Sequence, residues 1–308
     1  MNNVDIEFNE LVNKIKNMNV DEIFYNIKKS FLKVHPDTQR SIQKFLNDLN
    51  YWGTLDIDKN DYTEIFEKAK SLKEHIEDYI WLYNKLKDYS SKKLLFAILN
   101  NWYCYDFKNL SDCMNKTFLH YFDLDIVPSF NNKVFVDIGS YIGDTVQDFI
   151  DTYKKYKKIY CYEMTAESMA TVKENLSKYE NIIYNNKAVS NNNRLGYFTT
   201  ELIDASTNKL VTNGNVEIEI VSLDNDITES IDMIKMDIEG EEYNALLGCK
   251  NHIINDKPIL MISVYHNNED LWKLPKLIDE FNNKYDFYLR NYGNNVFPTE
   301  IVLIAVPN

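Results

Sequence analysis

At 308 residues the chain can bury a full α/β core and still fold a second unit, so two domains are the starting expectation. Its 44% hydrophobic and 26% charged residues, with only eight glycines and six prolines, exclude a disordered or low-complexity protein. A formal net charge of −13 argues against long phosphate backbones as partners, because such binding draws its affinity from Lys and Arg.

The stretch Asn2 to Glu10 is polar and acidic, and no apolar run approaches the ~20 residues of a membrane span. With Cys104, Cys113, Cys161 and Cys249 its only cysteines, the chain is expected in the cytoplasm with reduced thiols. Residues 1–128 read as helix after helix, because apolar side chains recur along one helical face: Phe8/Leu11/Val12/Ile15, Ile42/Phe45/Leu46/Leu49, Ile76/Tyr79/Ile80/Tyr83 and Leu94/Leu95/Ile98/Trp102. Thr38 and Asp61 stand where N-caps would, and His35-Pro36 and Trp52-Gly53 mark breaks. The expectation is a helical bundle without strands, available for an acceptor cleft or for homo-oligomerisation. Its aromatic stretch around Trp81, Trp102, Tyr103 and Tyr105 reads either as core or as a platform for a sugar. Neither Cys104 with Cys113 and His120 nor Cys249 with His252 has the paired close spacing of a zinc site.

From Pro128 the pattern changes, and residues 129–308 read as an α/β domain. Val134 to Asp137, Ile159 to Tyr162, Ile182 to Tyr184, Met233 to Asp237 and Ile259 to Ile262 are short apolar runs, the mark of strands covered on both faces. Segments of helical character lie between most of them: Thr145 to Tyr156, Ala166 to Lys178, Glu241 to Ile254 and Leu271 to Phe281. This alternation predicts a doubly wound, mostly parallel sheet with right-handed crossovers. Phe287 to Leu289 and Ile301 to Ile304 have no helix between them, so a closing antiparallel strand is expected. Tyr197 to Thr199 and the alternating Val216 to Ile220 predict an inserted hairpin within residues 196–222.

In open α/β sheets a ligand binds beyond the carboxyl ends of the strands, and the first βα turn, Gly139 to Gly143, is the prime location. Glycines there allow a tight turn and a close approach to backbone amides. A dinucleotide fingerprint starting at Gly139 would need glycine at Tyr141 and Asp144, and both positions fail it. Asp137 and Asp144 also surround the turn with negative charge, which repels pyrophosphate and suits a cationic sulfonium. Glu163 ends the second strand where an acidic side chain meets the ribose hydroxyls of an adenosine ligand; its other reading is a cap for the helix near Ala166.

The segments Val134 to Thr145 (VFVDIGSYIGDT), Tyr160 to Glu163 (YCYE), Asn175-Leu176, Lys187 to Ser190 (KAVS), Val221 to Asp224 (VSLD) and Ile234 to Gly240 (IKMDIEG) continue into Glu242, Leu246 to Gly248, Lys257-Pro258 and Ser263 to His266 (SVYH). In order and spacing, over about residues 132–270, they resemble the FkbM family of methyltransferases. The resemblance implies a Rossmann-like fold, S-adenosylmethionine as cofactor, and methylation, usually of an oxygen, on a sugar, glycan or natural product. It implies cofactor contacts at Asp137, Gly139, Ser140, Tyr141, Gly143, Asp144, Thr145, Glu163, Met164, Ala188 and Asp237. Met164 departs from the proline that usually follows the ribose-binding glutamate, which alters the turn and leaves the carboxylate. The helical half lies outside the shared segments.

Methyl transfer from a sulfonium is an in-line displacement, so the protein must align the acceptor, exclude water and manage a proton. Candidates fall at Asp237-Ile238-Glu239 and Tyr265-His266. His266 ranks first as general base, because imidazole titrates near neutrality; its other reading is an exposed loop residue. Asp237 would orient the acceptor hydroxyl or take its proton, or else pair with Lys235 on the same strand face. Glu239 would join the chemistry, or else begin the next helix and favour its dipole. The same three side chains suit a divalent ion, although the reading taken is metal-free. The acceptor is expected to be a small molecule or glycan hydroxyl. N-methylation of an amino sugar or amino-acid substituent is the alternative, and a non-catalytic S-adenosylmethionine-binding assembly protein the third. Nucleic-acid methylation is disfavoured by charge, and by Asp-Ile-Glu-Gly standing in place of an Asn/Asp-Pro-Pro-aromatic tetrapeptide.

Overall fold

The computed structural model describes residues 2–49, 52–199, 210–211, 214–294 and 296–308. Parts of the expected hairpin, 200–209 and 212–213, lie outside the described residues. The chain divides into two compact units, one of residues 1–115, 264–275 and 286–303, the other of residues 116–263, 276–285 and 304–308.

The first unit carries α1 (Asn3–Lys16), α2 (Val20–Phe31), α3 (Pro36–Leu49), β1 (Leu55–Asp56), β2 (Asp61–Tyr62), α4 (Thr63–Glu74), α5 (Ile76–Lys85), α6 (Tyr89–Cys104) and α7 (Phe107–Ser111). The first two helices open with capping boxes, Asn2 with Asp5 and Asn19 with Glu22. α3 begins on proline, where no N–H is needed, so Thr38 lies inside the helix rather than capping it. Asp61 acts from just outside α4, its Oδ1 accepting the Thr63 N–H at 3.0 Å and the Thr63 hydroxyl at 2.7 Å.

The bundle is not free of strands, contrary to the periodicity. β1 and β2 pair antiparallel around a reversal in which Asn60 takes left-handed backbone (φ 53), and Asn47 of α3 donates to the Leu55 carbonyl at 3.1 Å. Trp102 and Tyr105 belong to the core: they are 4% and 6% exposed. The buried Lys68, ion-paired with Glu64, lies 5.1–5.6 Å from the rings of Phe297, Trp52 and Tyr105.

The second unit is built around β3 (Val134–Ile138), α8 (Asp144–Tyr153), β4 (Lys158–Tyr162), α9 (Ala166–Asn175), β5 (Ile182–Asn185), β6 (Ala188–Val189), β7 (Arg194–Phe198), β8 (Leu210–Val211), β9 (Val216–Val221), α10 (Leu223–Asp226), β10 (Met233–Met236), α11 (Glu242–Leu247), α12 (Lys250–Asn255) and β11 (Ile259–Ser263). α13 (Asp270–Phe281), β12 (Tyr285–Asn291) and β13 (Ile301–Pro307) follow. The main sheet is seven-stranded in the order β12-β13-β11-β10-β3-β4-β5, and its pairs from β11 to β5 are parallel. β12 and β13 are neighbours without a crossover helix, and the Tyr292 N–H bonds the Glu300 carbonyl across their connection at 3.0 Å, the arrangement of an antiparallel pair. Chain order runs outward one way through β3, β4 and β5 and the other way through β10 and β11, so the sheet reverses between β3 and β10.

The expected hairpin is part of a second sheet, ordered β6-β9-β7-β8, with β7 and β9 antiparallel. The single helix expected over Glu241 to Ile254 is two, broken at Gly248, where a Cβ would lie 2.0 Å from the Ser190 carbonyl oxygen. The four cysteines are free thiols. Among the described residues no helix is long and apolar enough to cross a membrane.

Candidate functional site

At the carboxyl ends of β3, β4 and β10 the second unit opens a cleft whose lining includes Ile138, Tyr162 and Asp237. Its first wall is the turn after β3. Gly139 sits at φ +82, and a Cβ there would lie 1.9 Å from the Asp237 carbonyl oxygen, so the position admits glycine alone. The Gly139 and Ser140 N–H groups both donate to the Tyr162 carbonyl, at 2.9 and 3.0 Å, and the Gly143 N–H closes the turn on the Ser140 carbonyl at 2.7 Å. Lys235 Nζ donates to the Gly139 carbonyl at 2.6 Å, and Asn175 Nδ2 to that of Ile142 at 2.9 Å.

Glu163, just past β4, is 8% exposed and serves two elements at once. Its Oε2 accepts the Tyr141 N–H at 3.0 Å, while Oε1 accepts the Thr165 N–H at 2.8 Å and hydroxyl at 2.9 Å at the start of α9. The helix-cap reading and the cleft reading therefore coexist. Burial pushes its carboxyl above the ordinary range, against these hydrogen bonds and the charge of Lys235.

Asp137 is placed differently from the expectation. It is fully buried beneath the turn, it is not a lining residue, and its Oδ1 lies 3.1 Å from Lys235 Nζ. The parallel register explains this: Lys235 and Asp137 are direct partners across β10 and β3, which puts both side chains on one face. Burial raises the Asp137 pKa against the pull of Lys235. Burial also opposes the Lys235 charge, but Asp137 and Asp237 outweigh it, and its pKa ends raised.

Ser140, Gly143, Asp144 and Thr145 form the turn and the first turn of α8 without lining the cleft. Gly139, Tyr141, Glu163, Met164, Ala188, Asp237 and Glu239 do line it. Tyr162, Lys187, Val189 and Glu241 line it as well and were missed by sequence reasoning. Lys187 Nζ lies 2.8 Å from Asp226 and 3.4 Å from Glu219, and the Tyr162 hydroxyl donates to Asp226 at 2.7 Å. The signal for Lys187 was its place in the Lys187 to Ser190 segment. Met164, Ala188 and the buried Phe198, Ile218 and Ile220 form one apolar cluster, so the small sheet backs this wall.

The opposite wall is the segment after β10. Asp237 donates its N–H to the Ile138 carbonyl at 3.1 Å, and its Oδ2 accepts the Tyr121 hydroxyl at 2.7 Å. Glu239 does not begin the next helix: it and Gly240 take left-handed backbone, φ 58 and φ 102, and α11 starts at Glu242, whose Oε1 accepts the Ile238 N–H at 2.9 Å. Glu163, Asp237, Glu239 and Glu241 thus give the lining four carboxylates, whereas the charge of Lys187 is met by Asp226 and Glu219. Such a cleft favours a cationic ligand. His266 belongs to the other unit, where it is 1% exposed with its ring 4.2 Å from that of Tyr265, so the exposed-loop reading does not hold.

Residues 137–296 match the family model described as the methyltransferase FkbM domain. Among solved structures, methyltransferase FkbM from Methylobacillus flagellatus KT is similar at a TM-score of 0.63 and 23% sequence identity, over 76% of this chain and 60% of that one. The chain therefore spans about 60% of that protein's length. An rRNA methylase from Streptococcus thermophilus (TM-score 0.36, 15% identity, 58% of this chain and 87% of that one) and the Methanococcus jannaschii fibrillarin pre-rRNA processing protein (TM-score 0.38, 11% identity, 64% and 72%) are too slightly similar to argue from. No curated protein matches the chain.

Proposed function

From the FkbM methyltransferase family, to which this chain belongs, we propose that the protein uses S-adenosylmethionine to methylate a hydroxyl of a sugar, glycan or natural-product acceptor. The observation that carries this reading is the bond between the Tyr141 N–H and Glu163 Oε2 at 3.0 Å, which joins the glycine turn and the acidic residue in one cleft. The cleft's residues fit the cofactor: Gly139 leaves backbone open to close approach, and the lining carboxylates match a cation. When bound, the cofactor supplies an electrophilic methyl group on a sulfonium.

The chain's own residues do the rest. Glu163 Oε2 keeps a lone pair for a ribose hydroxyl, and the apolar wall of Met164, Ala188 and Val189 takes the base. Asp237 orients the acceptor hydroxyl and steadies positive charge at the reacting centre. His266 is the proposed proton acceptor, worth about 10²–10⁴-fold in turnover. An amino acceptor is the second reading, favoured by the lining carboxylates Asp237, Glu239 and Glu241, which would hold an ammonium. The proposal includes a cytoplasmic setting and an acceptor that is not nucleic acid.

The test pairs a calorimetric titration with S-adenosylmethionine and mass spectrometry of saccharides and small metabolites from cells lacking the gene. Binding, together with an extract component lighter by one methyl, is the expected result. No heat of binding would remove the cofactor; binding with every methylated saccharide unchanged would remove the acceptor class.

A further inference from the structure

We propose that Tyr121, which lies upstream of the family match over residues 137–296, is a positioning residue that fixes the Asp237 carboxylate in the cleft. The inference rests on the reading of Asp237 as the carboxylate beside the sulfonium.

The Tyr121 hydroxyl lies 2.7 Å from Asp237 Oδ2 and 3.2 Å from Ser263 Oγ at the end of β11. A phenol has one proton. Given to the carboxylate, the stronger acceptor, it leaves the Ser263 hydroxyl to donate to the phenol oxygen. The chain Ser263 to Tyr121 to Asp237 thus has a direction, and it ends on an oxygen of a residue lining the cleft.

The phenol is held against rotation. Tyr121 is 2% exposed and stands at φ 70, left-handed backbone that a bulky residue keeps only where its surroundings impose it. Those surroundings are visible. The next residue, Phe122, packs its ring 5.9 Å from both Phe149 and Tyr153 and 6.5 Å from Phe135. The Tyr153 hydroxyl ties the following chain down at the Val127 carbonyl, 3.0 Å away. The His120 ring stacks on Tyr121 at 3.9 Å, and Lys235 Nζ lies 5.5 Å from the Tyr121 ring centre. Asp237 is half-buried at the cleft lining, and the buried phenol on its Oδ2 sets the orientation of the carboxylate.

The test needs no acceptor, because S-adenosylmethionine is a sulfonium cation and S-adenosylhomocysteine lacks that charge. The ratio of their calorimetric affinities reads the carboxylate. Asp237→Asn is expected to lower the ratio about tenfold. If it does not, the reading of Asp237 falls whatever Tyr121 does. Given that response, Tyr121→Phe lowers the same ratio by about threefold with S-adenosylhomocysteine affinity unchanged, and adds little in the Asp237→Asn background. A wild-type ratio in Tyr121→Phe, an equal weakening of both ligands, or full additivity with Asp237→Asn overturns the proposal. Ser263→Ala removes the donor behind the phenol and is expected to shift the ratio the same way; should Tyr121→Phe fail to fold, an unchanged ratio in Ser263→Ala overturns the proposal.

Discussion

The two turns that border the cleft are built by opposite means. The turn after β3 is made of backbone: its geometry comes from glycines at 139 and 143, its amides and carbonyls are bound by Tyr162, Glu163, Asn175 and Lys235, and the polar group beneath it, Asp137, is sealed away. The segment after β10 instead exposes chemistry, with the carboxylates of Asp237 and Glu239 half-buried at the lining. One wall shapes the site and the other supplies its charge. The two walls meet where glycine at 139 admits the Asp237 carbonyl, and each holds one larger residue, Tyr141 at φ 48 and Glu239 at φ 58, in left-handed backbone.

That contrast can be broken from below. Lys235→Met would leave Asp137 buried without its partner and cost about 3–5 kcal/mol, read by denaturant unfolding, and would weaken S-adenosylmethionine binding through loss of the bond to the Gly139 carbonyl. A variant as stable as the parent would show that the pair does not support the turn. Gly139→Ala comes next, at about 2–4 kcal/mol, because the new methyl meets the Asp237 carbonyl on a backbone that disfavours it. Its calorimetric binding should vanish even where it folds. The smallest effect sharpens the comparison: Glu239→Gly removes a side chain from left-handed backbone and should leave stability unchanged or raise it by up to about 1 kcal/mol in thermal unfolding. A loss of stability there would mean that Glu239 is a structural support after all.

The strands of the main sheet were legible because each is buried on both faces and reads as an unbroken apolar run, as Val134 to Ile138 and Met233 to Met236 do. β1 and β2 were not, since strands of two residues carry no period. The division of α11 from α12 escaped for another reason: Gly248 is required by the nearby Ser190 carbonyl, a contact remote in sequence. In the site, Gly139 and Glu163 announced themselves through spacing. Asp137 as a partner of Lys235 did not, because alternation along one strand names only Asp237, whose charge does act on Lys235, and it takes the register between strands to add Asp137. Tyr121 lies in an irregular segment with no motif around it, and only the fold brings it to Asp237.

The aromatic stitch of Phe122 and Phe130 onto α8 bears on where this protein can be cut. A fragment trimmed to the stretch that the family model matches, 137–296, would begin inside β3 and end before β13. It would keep Phe149 and Tyr153 while losing Phe122, Phe130 and Phe135, the rings that cover them, and would carry a sticky apolar face into solution. The span of the family match and the compact unit around the main sheet differ here, and the second is longer at both ends.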